Sequence, residues 1–140
     1  MRKVIYALSA LIVVSLLVVF LRADSDFPRG PVTVGRATIT GSSSNSSTTL
    51  DTPSVNTMYV FTISLTGHGL SSSSVAADVA YTNVVGTQVN LNLVNAGGGG
   101  NTTTANIAPV YAKAGTSVSV TTTFTGSGGT YDLDALLVKQ

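Results

Sequence analysis

The residues that could do chemistry in this 140-residue chain are few, and most stand alone. His68, in Thr66-Gly67-His68-Gly69, is the single histidine, and the chain has no cysteine and no glutamate. Neither a Ser-His-acid relay with its supporting groups nor a His/Cys zinc site can be assembled from that set within one chain. His68 therefore reads as a surface residue in a turn between strands, and three copies could meet only around the axis of a symmetric oligomer. Asp132 and Asp134 are two residues apart. On a strand that spacing puts both carboxylates on one face, where they could approach one calcium ion. Calcium requires more oxygens than this pair supplies, so a solvated outer face is the competing reading, and we prefer it.

Gly97–Gly100 has the glycine content of a phosphate loop without the following Lys-Ser/Thr or a helix, and reads as a flexible hairpin tip. Asn45-Ser46-Ser47 and Asn101-Thr102-Thr103 have the form of N-glycosylation sequons, as chance would produce in so polar a chain. Beyond Arg36 the only cations are Lys113 and Lys139, so there is no basic stripe for nucleic acid. No cofactor, small-molecule substrate or enzymatic activity is expected.

What must be positioned is instead the whole domain, and the segment that positions it is the apolar run Val4–Leu21. It has 18 residues without a charge, between Arg2-Lys3 and Arg22. As a helix it is about 27 Å long, close to the thickness of a bilayer's hydrocarbon core. The side chains that would face lipid, or copies of the same helix in a filament core, are Val4, Ile5, Leu8, Leu11, Ile12, Val14, Leu16, Leu17, Val19, Phe20 and Leu21.

Three fates compete for the run. A cleaved secretory signal has a shorter apolar region, of about 7–15 residues, and a small residue where Leu21 stands in Leu21-Arg22-Ala23. A pilin-type cut before Ala7-Leu8-Ser9 lacks the basic residue expected at Ile5-Tyr6, and no glutamate follows. A retained single-span anchor remains, and we adopt it. Arginines on both flanks leave the positive-inside rule undecided, and we place the β-rich part on the outer side.

Residues 1–23 are thus read as a transmembrane anchor helix, 24–31 as a linker and 32–140 as one β-sandwich domain. The linker, Asp24 to Pro31, holds two prolines and a glycine among charges. In the domain the apolar residues recur with period two. Tyr59, Phe61, Ile63 and Leu65 alternate with Val60, Thr62 and Ser64, and Tyr131, Leu133, Ala135 and Leu137 alternate with Asp132 and Asp134. Similar faces are expected from Val75, Ala77, Val79 and Tyr81, from Val89, Leu91 and Leu93, and from Val118, Val120 and Phe124.

Val32 to Thr40 is a strand in which Gly35 marks a bulge, Gly41 to Pro53 reads as a polar loop, and Ile107 to Lys113 is a short strand in which Pro109 signals an edge or a bulge. Seven or eight strands with regular turn signals predict an all-β fold, a single antiparallel sandwich of jelly-roll or immunoglobulin-like topology, with one N-terminal hydrophobic α-helix. From Ala37 onward only Asp51, Asp78, Asp132, Asp134, Lys113 and Lys139 ionise. An assembly built on so uncharged a surface should hold together when salt is raised to screen charges. Light scattering in a salt series is the check.

Residues Met58 to Val138 add a resemblance. The opening Tyr59-Val60-Phe61-Thr62-Ile63-Ser64-Leu65 leads to Ala114-Gly115-Thr116-Ser117-Val118-Ser119-Val120-Thr121-Thr122-Thr123-Phe124-Thr125. Then come Gly128-Gly129-Thr130-Tyr131-Asp132-Leu133 and the closing Leu136-Leu137. The pattern resembles the small β domains of bacteriophage structural and spike proteins, which usually lack an N-terminal span and usually end their last strand with Arg and Glu, where this chain has Ala135 to Lys139. These are fold-defining positions, so the resemblance implies a fold and a structural role and no binding residues.

With the anchor it implies a virion protein of an internal-membrane virus: a minor capsid, vertex or spike component, bound to the lipid bilayer and to other capsid subunits, and homo-oligomeric. The alternative is a pilin-like subunit of a cell-surface filament whose N-terminal helices pack in the core. A third reading is a membrane-bound module that recognises sugars or a receptor through Gly67–Ser74 and Asn95–Asn101.

Overall fold

The computed structural model describes residues 30–140. The anchor helix expected over 1–23, its apolar positions from Val4 to Leu21 and nearly all of the 24–31 linker lie outside the described residues. Among the described residues, no helix is long and apolar enough to cross a membrane.

Eight strands follow one another: β1 (Val32–Ser42), β2 (Ser46–Asp51), β3 (Thr57–His68), β4 (Ser73–Thr82), β5 (Gln88–Gly97), β6 (Thr102–Ala112), β7 (Val118–Gly126) and β8 (Thr130–Lys139). They form two four-stranded antiparallel sheets, ordered β1-β8-β3-β6 and β2-β7-β4-β5. The pairings have a simple logic. β1 pairs with β8, β2 with β7, β3 with β6 and β4 with β5, as in one long hairpin whose tip is the β4–β5 turn. Rolling that hairpin brings β3 onto β8 and β4 onto β7, which completes both sheets. This is a jelly roll, and it resolves the choice left open with an immunoglobulin-like order.

The tip is fixed by Asn83, whose carbonyl accepts from Gly86 N–H at 2.9 Å and whose side-chain oxygen accepts from Thr87 N–H at 2.9 Å. Gly86 has φ +94°, a conformation that costs glycine little.

The core lies between the sheets and follows the expected alternation in β3, β4, β7 and β8. Tyr59, Phe61, Ile63 and Leu65 are buried from β3, Val75, Ala77 and Val79 from β4, Val118 and Val120 from β7, and Tyr131, Leu133, Ala135 and Leu137 from β8. Tyr81 and Phe124 are partly buried against that cluster. Two polar groups inside it are satisfied. Tyr131 Oη is 2.7 Å from Thr122 Oγ1 and donates to Ser44 O at 2.7 Å, tying β8 to β7 and to the β1–β2 connection. Tyr59 Oη donates to Asp51 Oδ2 at 2.6 Å. Burial, with Asp51 second, pushes the Tyr59 phenol well above its ordinary pKa.

Four expectations change. Gly41 to Pro53 is not a loop: β1 runs to Ser42, β2 starts at Ser46, and Leu50 is a core residue. In β5 a register shift opposite Ala77/Asp78 skips Leu93, so the alternation changes phase. Val94 and Ala96 are therefore buried, while Leu91 is exposed. Gly98–Gly100 is not a hairpin tip, since it links β5 in one sheet to β6 in the other. It is held by Gly99 N–H to Leu70 O at 3.1 Å and by Gly69 N–H to Gly100 O at 3.2 Å. His68 belongs to β3, not to a turn.

The edges are managed locally. Gly35 sits at the β1 register shift, as its bulge reading anticipates, and Pro109 lies on the edge strand β6. Asn106 Nδ2 donates to Leu93 O at 3.0 Å and Thr104 Oγ1 to Asn95 O at 3.3 Å, so β6 side chains take β5 edge carbonyls. On the opposite side, a Cβ at Gly35 would meet Leu50 backbone carbon and Cβ at 2.8 Å. Gly35→Ala should therefore pry β1 from β2 and destabilise the domain by about 1–3 kcal/mol. A lowered urea midpoint at constant m is the expected readout.

Candidate functional site

β1, β8 and β3 lie side by side, and period two sends every second residue to the outside of their sheet. That outer face carries the residues singled out for chemistry. Arg36 on β1 grips Asp134 on β8 through two hydrogen bonds, Nε to Oδ1 at 2.9 Å and Nη2 to Oδ2 at 3.0 Å, while Thr38 Oγ1 reaches Oδ1 at 3.4 Å. Asp132 accepts from Gly41 N–H at 2.7 Å with one oxygen and lies 2.9 Å from His68 Nε2 with the other.

The two carboxylates thus share a face, as their spacing requires, but are committed to different donors and do not converge on one cation. Among the described residues, no group of three His, Cys, Asp or Glu side chains could hold a metal ion. The Arg36 guanidinium holds the Asp134 carboxyl below the usual range, and the Gly41 N–H, followed by His68, does the same for Asp132.

Beside the Arg36–Asp134 pair lies an open groove of about 590 Å³ floored by Thr62, Ser64, Ala105, Ile107 and Leu136. The groove is shallow and mainly aliphatic. The arrangement offers ion pairing and surface contact.

A pH dependence follows from the lowered carboxyls. A carboxyl depressed in the fold adds stability above its unfolded pKa of about 3.9, and that stability is lost as pH falls through the folded value. Both groups are exposed, so the contribution is modest. Melting temperatures should fall below about pH 4, and Asp132→Asn with Asp134→Asn should flatten that fall.

Asn45 is not a free sequon side chain, since its Oδ1 accepts from Phe124 N–H at 2.7 Å, whereas Asn101 is exposed between β5 and β6.

Sequence reasoning missed a second feature, at the end of the sandwich where the described chain begins. Val32 pairs with Lys139 there, and Met58 with Tyr111. The β2–β3, β4–β5 and β6–β7 connections gather beside them, joined by Gly115 N–H to Pro53 O at 2.7 Å, Lys113 N–H to Thr82 O at 2.9 Å and Ala114 N–H to Asn56 Oδ1 at 2.9 Å. Val32, Val55, Met58, Val85 and Tyr111 are exposed on this end. Val55 and Val85 come from two connections and Val32, Met58 and Tyr111 from the ends of β1, β3 and β6, so no single stretch of sequence signals the cluster.

The chain matches no family model and no curated protein sequence. Among solved structures, it is similar to that of the infectious bursal disease virus Gt strain at 14% identity and TM-score 0.47, over 81% of this chain and 32% of that one. It is also similar to the CBM22-1-GH10 modules of Clostridium thermocellum endo-1,4-beta-D-xylanase 10B, at 10% identity and TM-score 0.42, over 81% of this chain and 25% of that one. Eiger TNF from S. frugiperda matches at 14% identity and TM-score 0.42, over 78% of this chain and 94% of that one. The chain spans about a third of the length of the viral chains it matches, 32% in each. With TM-scores below 0.5, these likenesses carry no argument about this chain.

Proposed function

We propose that this chain is a membrane-anchored structural protein of a virion, a minor capsid, vertex or spike component that links an internal membrane to the protein shell. The observation that carries the reading is the strand order β1-β8-β3-β6 over β2-β7-β4-β5 in a chain that also has the uncharged run Val4–Leu21. Jelly rolls of eight strands are a recurrent building block of viral capsids, as they are of lectins and cupins. The anchor and the scarcity of chemistry on the outer faces favour placement over catalysis.

In this reading Val4–Leu21 resists extraction from lipid, Asp24–Pro31 limits how far the domain can stand off from it, and the jelly roll meets other shell subunits. The aliphatic floor around Ile107 and Leu136 offers one such contact surface.

Mass spectrometry of the mature chain from its native particle tests the reading. An N-terminus at Met1 or Arg2 is expected. Loss of the residues before Ala7 or Leu8 would move the chain to the filament reading, and a start near Asp24 would remove the anchor altogether.

A further inference from the structure

The two ends of the jelly roll differ. At the far end, the β1–β2, β3–β4, β5–β6 and β7–β8 connections span residues 43–45, 69–72, 98–101 and 127–129, and consist of serine, glycine, asparagine and one leucine. That leucine, Leu70, is buried, and none of the four connections carries a charge. The near end is apolar and basic. Val85, at the tip of the β4–β5 turn, is 81% exposed, Val55 58%, Met58 53% and Tyr111 46%. Lys113 and Lys139, the only lysines of the domain, stand at the same end. Its one acidic side chain, Asp51, is already held by Tyr59 Oη at 2.6 Å and Thr52 N–H at 2.8 Å.

We propose that this near end is a lipid-contacting surface, with Val55, Val85 and Met58 seated at the headgroup boundary, Tyr111 beside them, and Lys113 and Lys139 facing lipid phosphates. The inference rests on the anchored reading above and extends it from the helix to the domain. Two further observations favour lipid over another occupant. The described chain begins at this end, and only Arg22 to Arg29 separate Gly30 from Leu21. Fully extended, those residues reach at most about 29 Å, so the anchor cannot let the end move far from the bilayer surface. The composition is also that of an interfacial surface: aliphatic tips that can insert, a tyrosine with an apolar body and polar tip, and lysines that attract anionic lipid.

The chain has no cysteine, so single probes can be placed cleanly. Val55→Cys, Val85→Cys and, on the far end, Ser71→Cys are made in the full chain. Each is labelled with an environment-sensitive fluorophore and reconstituted into phosphatidylcholine/phosphatidylglycerol vesicles containing spin-labelled lipid. Probes at 55 and 85 should shift to the blue and be quenched by the spin label severalfold more than the probe at 71.

Co-flotation of the chain with quenching at 55 and 85 no greater than at 71 overturns the inference and leaves the anchor intact. Probes at 55 and 85 that are shielded from an aqueous quencher yet untouched by the spin-labelled lipid point to a second protein copy, which also overturns it. Failure of the chain to float with the vesicles overturns the anchored reading itself.

Discussion

Replacing Phe61 by alanine is expected to lower the unfolding free energy by about 3–5 kcal/mol, the usual cost of emptying a fully buried aromatic site. Phe61 is fully buried in β3, an interior strand of its sheet flanked by β8 and β6. Its register partners, Leu137 and Ala108, are themselves buried, and the residues two positions away on β3, Tyr59 and Ile63, share its face. The void therefore opens inside a wall made from three strands and cannot be filled by collapse of a loop. Against a domain stability of about 5–15 kcal/mol, that loss removes a large part of the total.

Ile107→Ala provides the control. Ile107 is 68% exposed on the outer face of the same sheet, and its truncation should change stability by about 0.5 kcal/mol or less. Urea unfolding of both variants checks the pair. Equal effects would mean that the inner and outer faces of this sheet have been assigned wrongly.

The second large effect concerns the anchor. Ile12→Arg combined with Val14→Arg places two guanidinium groups near the middle of the run Val4–Leu21. Each costs about 2.5–3.5 kcal/mol at the centre of a membrane span, so together they oppose insertion by about 5–7 kcal/mol. The partition of the chain into bilayers should fall by about four to five orders of magnitude. Vesicle flotation of the full chain should show wild type at the lipid layer and the double variant in the soluble fraction. Unchanged flotation would mean that something other than this run holds the protein to lipid. The jelly roll should be indifferent to the change, with the same urea midpoint.

How far the fold could be read depended on how much each strand says locally. β3 and β8 are legible because apolar residues occupy every second position four times in succession, and the core contains all of them. β2 is not, because in Ser46-Ser47-Thr48-Thr49-Leu50-Asp51 only Leu50 reaches the core, and serine and threonine serve a loop equally well. β5 misleads because one bulged residue at Leu93 reverses the faces, leaving Val89 and Leu91 out of phase with Val94 and Ala96.

The strand order is non-local. Nothing within a strand says that β1 will meet β8 rather than β2, and that pairing separates the jelly roll from an immunoglobulin-like sandwich. His68 reads as a turn residue because glycines flank it. Gly67 is instead a strand residue against which Leu70 packs, so close that a Cβ there would collide with the leucine.

The candidate site divides the same way. The Asp132 and Asp134 face was readable from spacing, but their partners Arg36, Thr38, Gly41 and His68 come from β1 and β3, far off in sequence. The apolar end escapes a linear reading for the same reason, since Val55, Val85 and Tyr111 are far apart in sequence and share one end of the sandwich only once the long hairpin has rolled.

Electron cryomicroscopy of the native particle that contains this chain tests its proposed role most directly. The account predicts a lipid layer crossed by the Val4–Leu21 helix, with the jelly roll standing on that layer by its Val55/Val85 end and joined to a protein shell. A smooth filament with those helices packed along its axis, and no lipid, would contradict it.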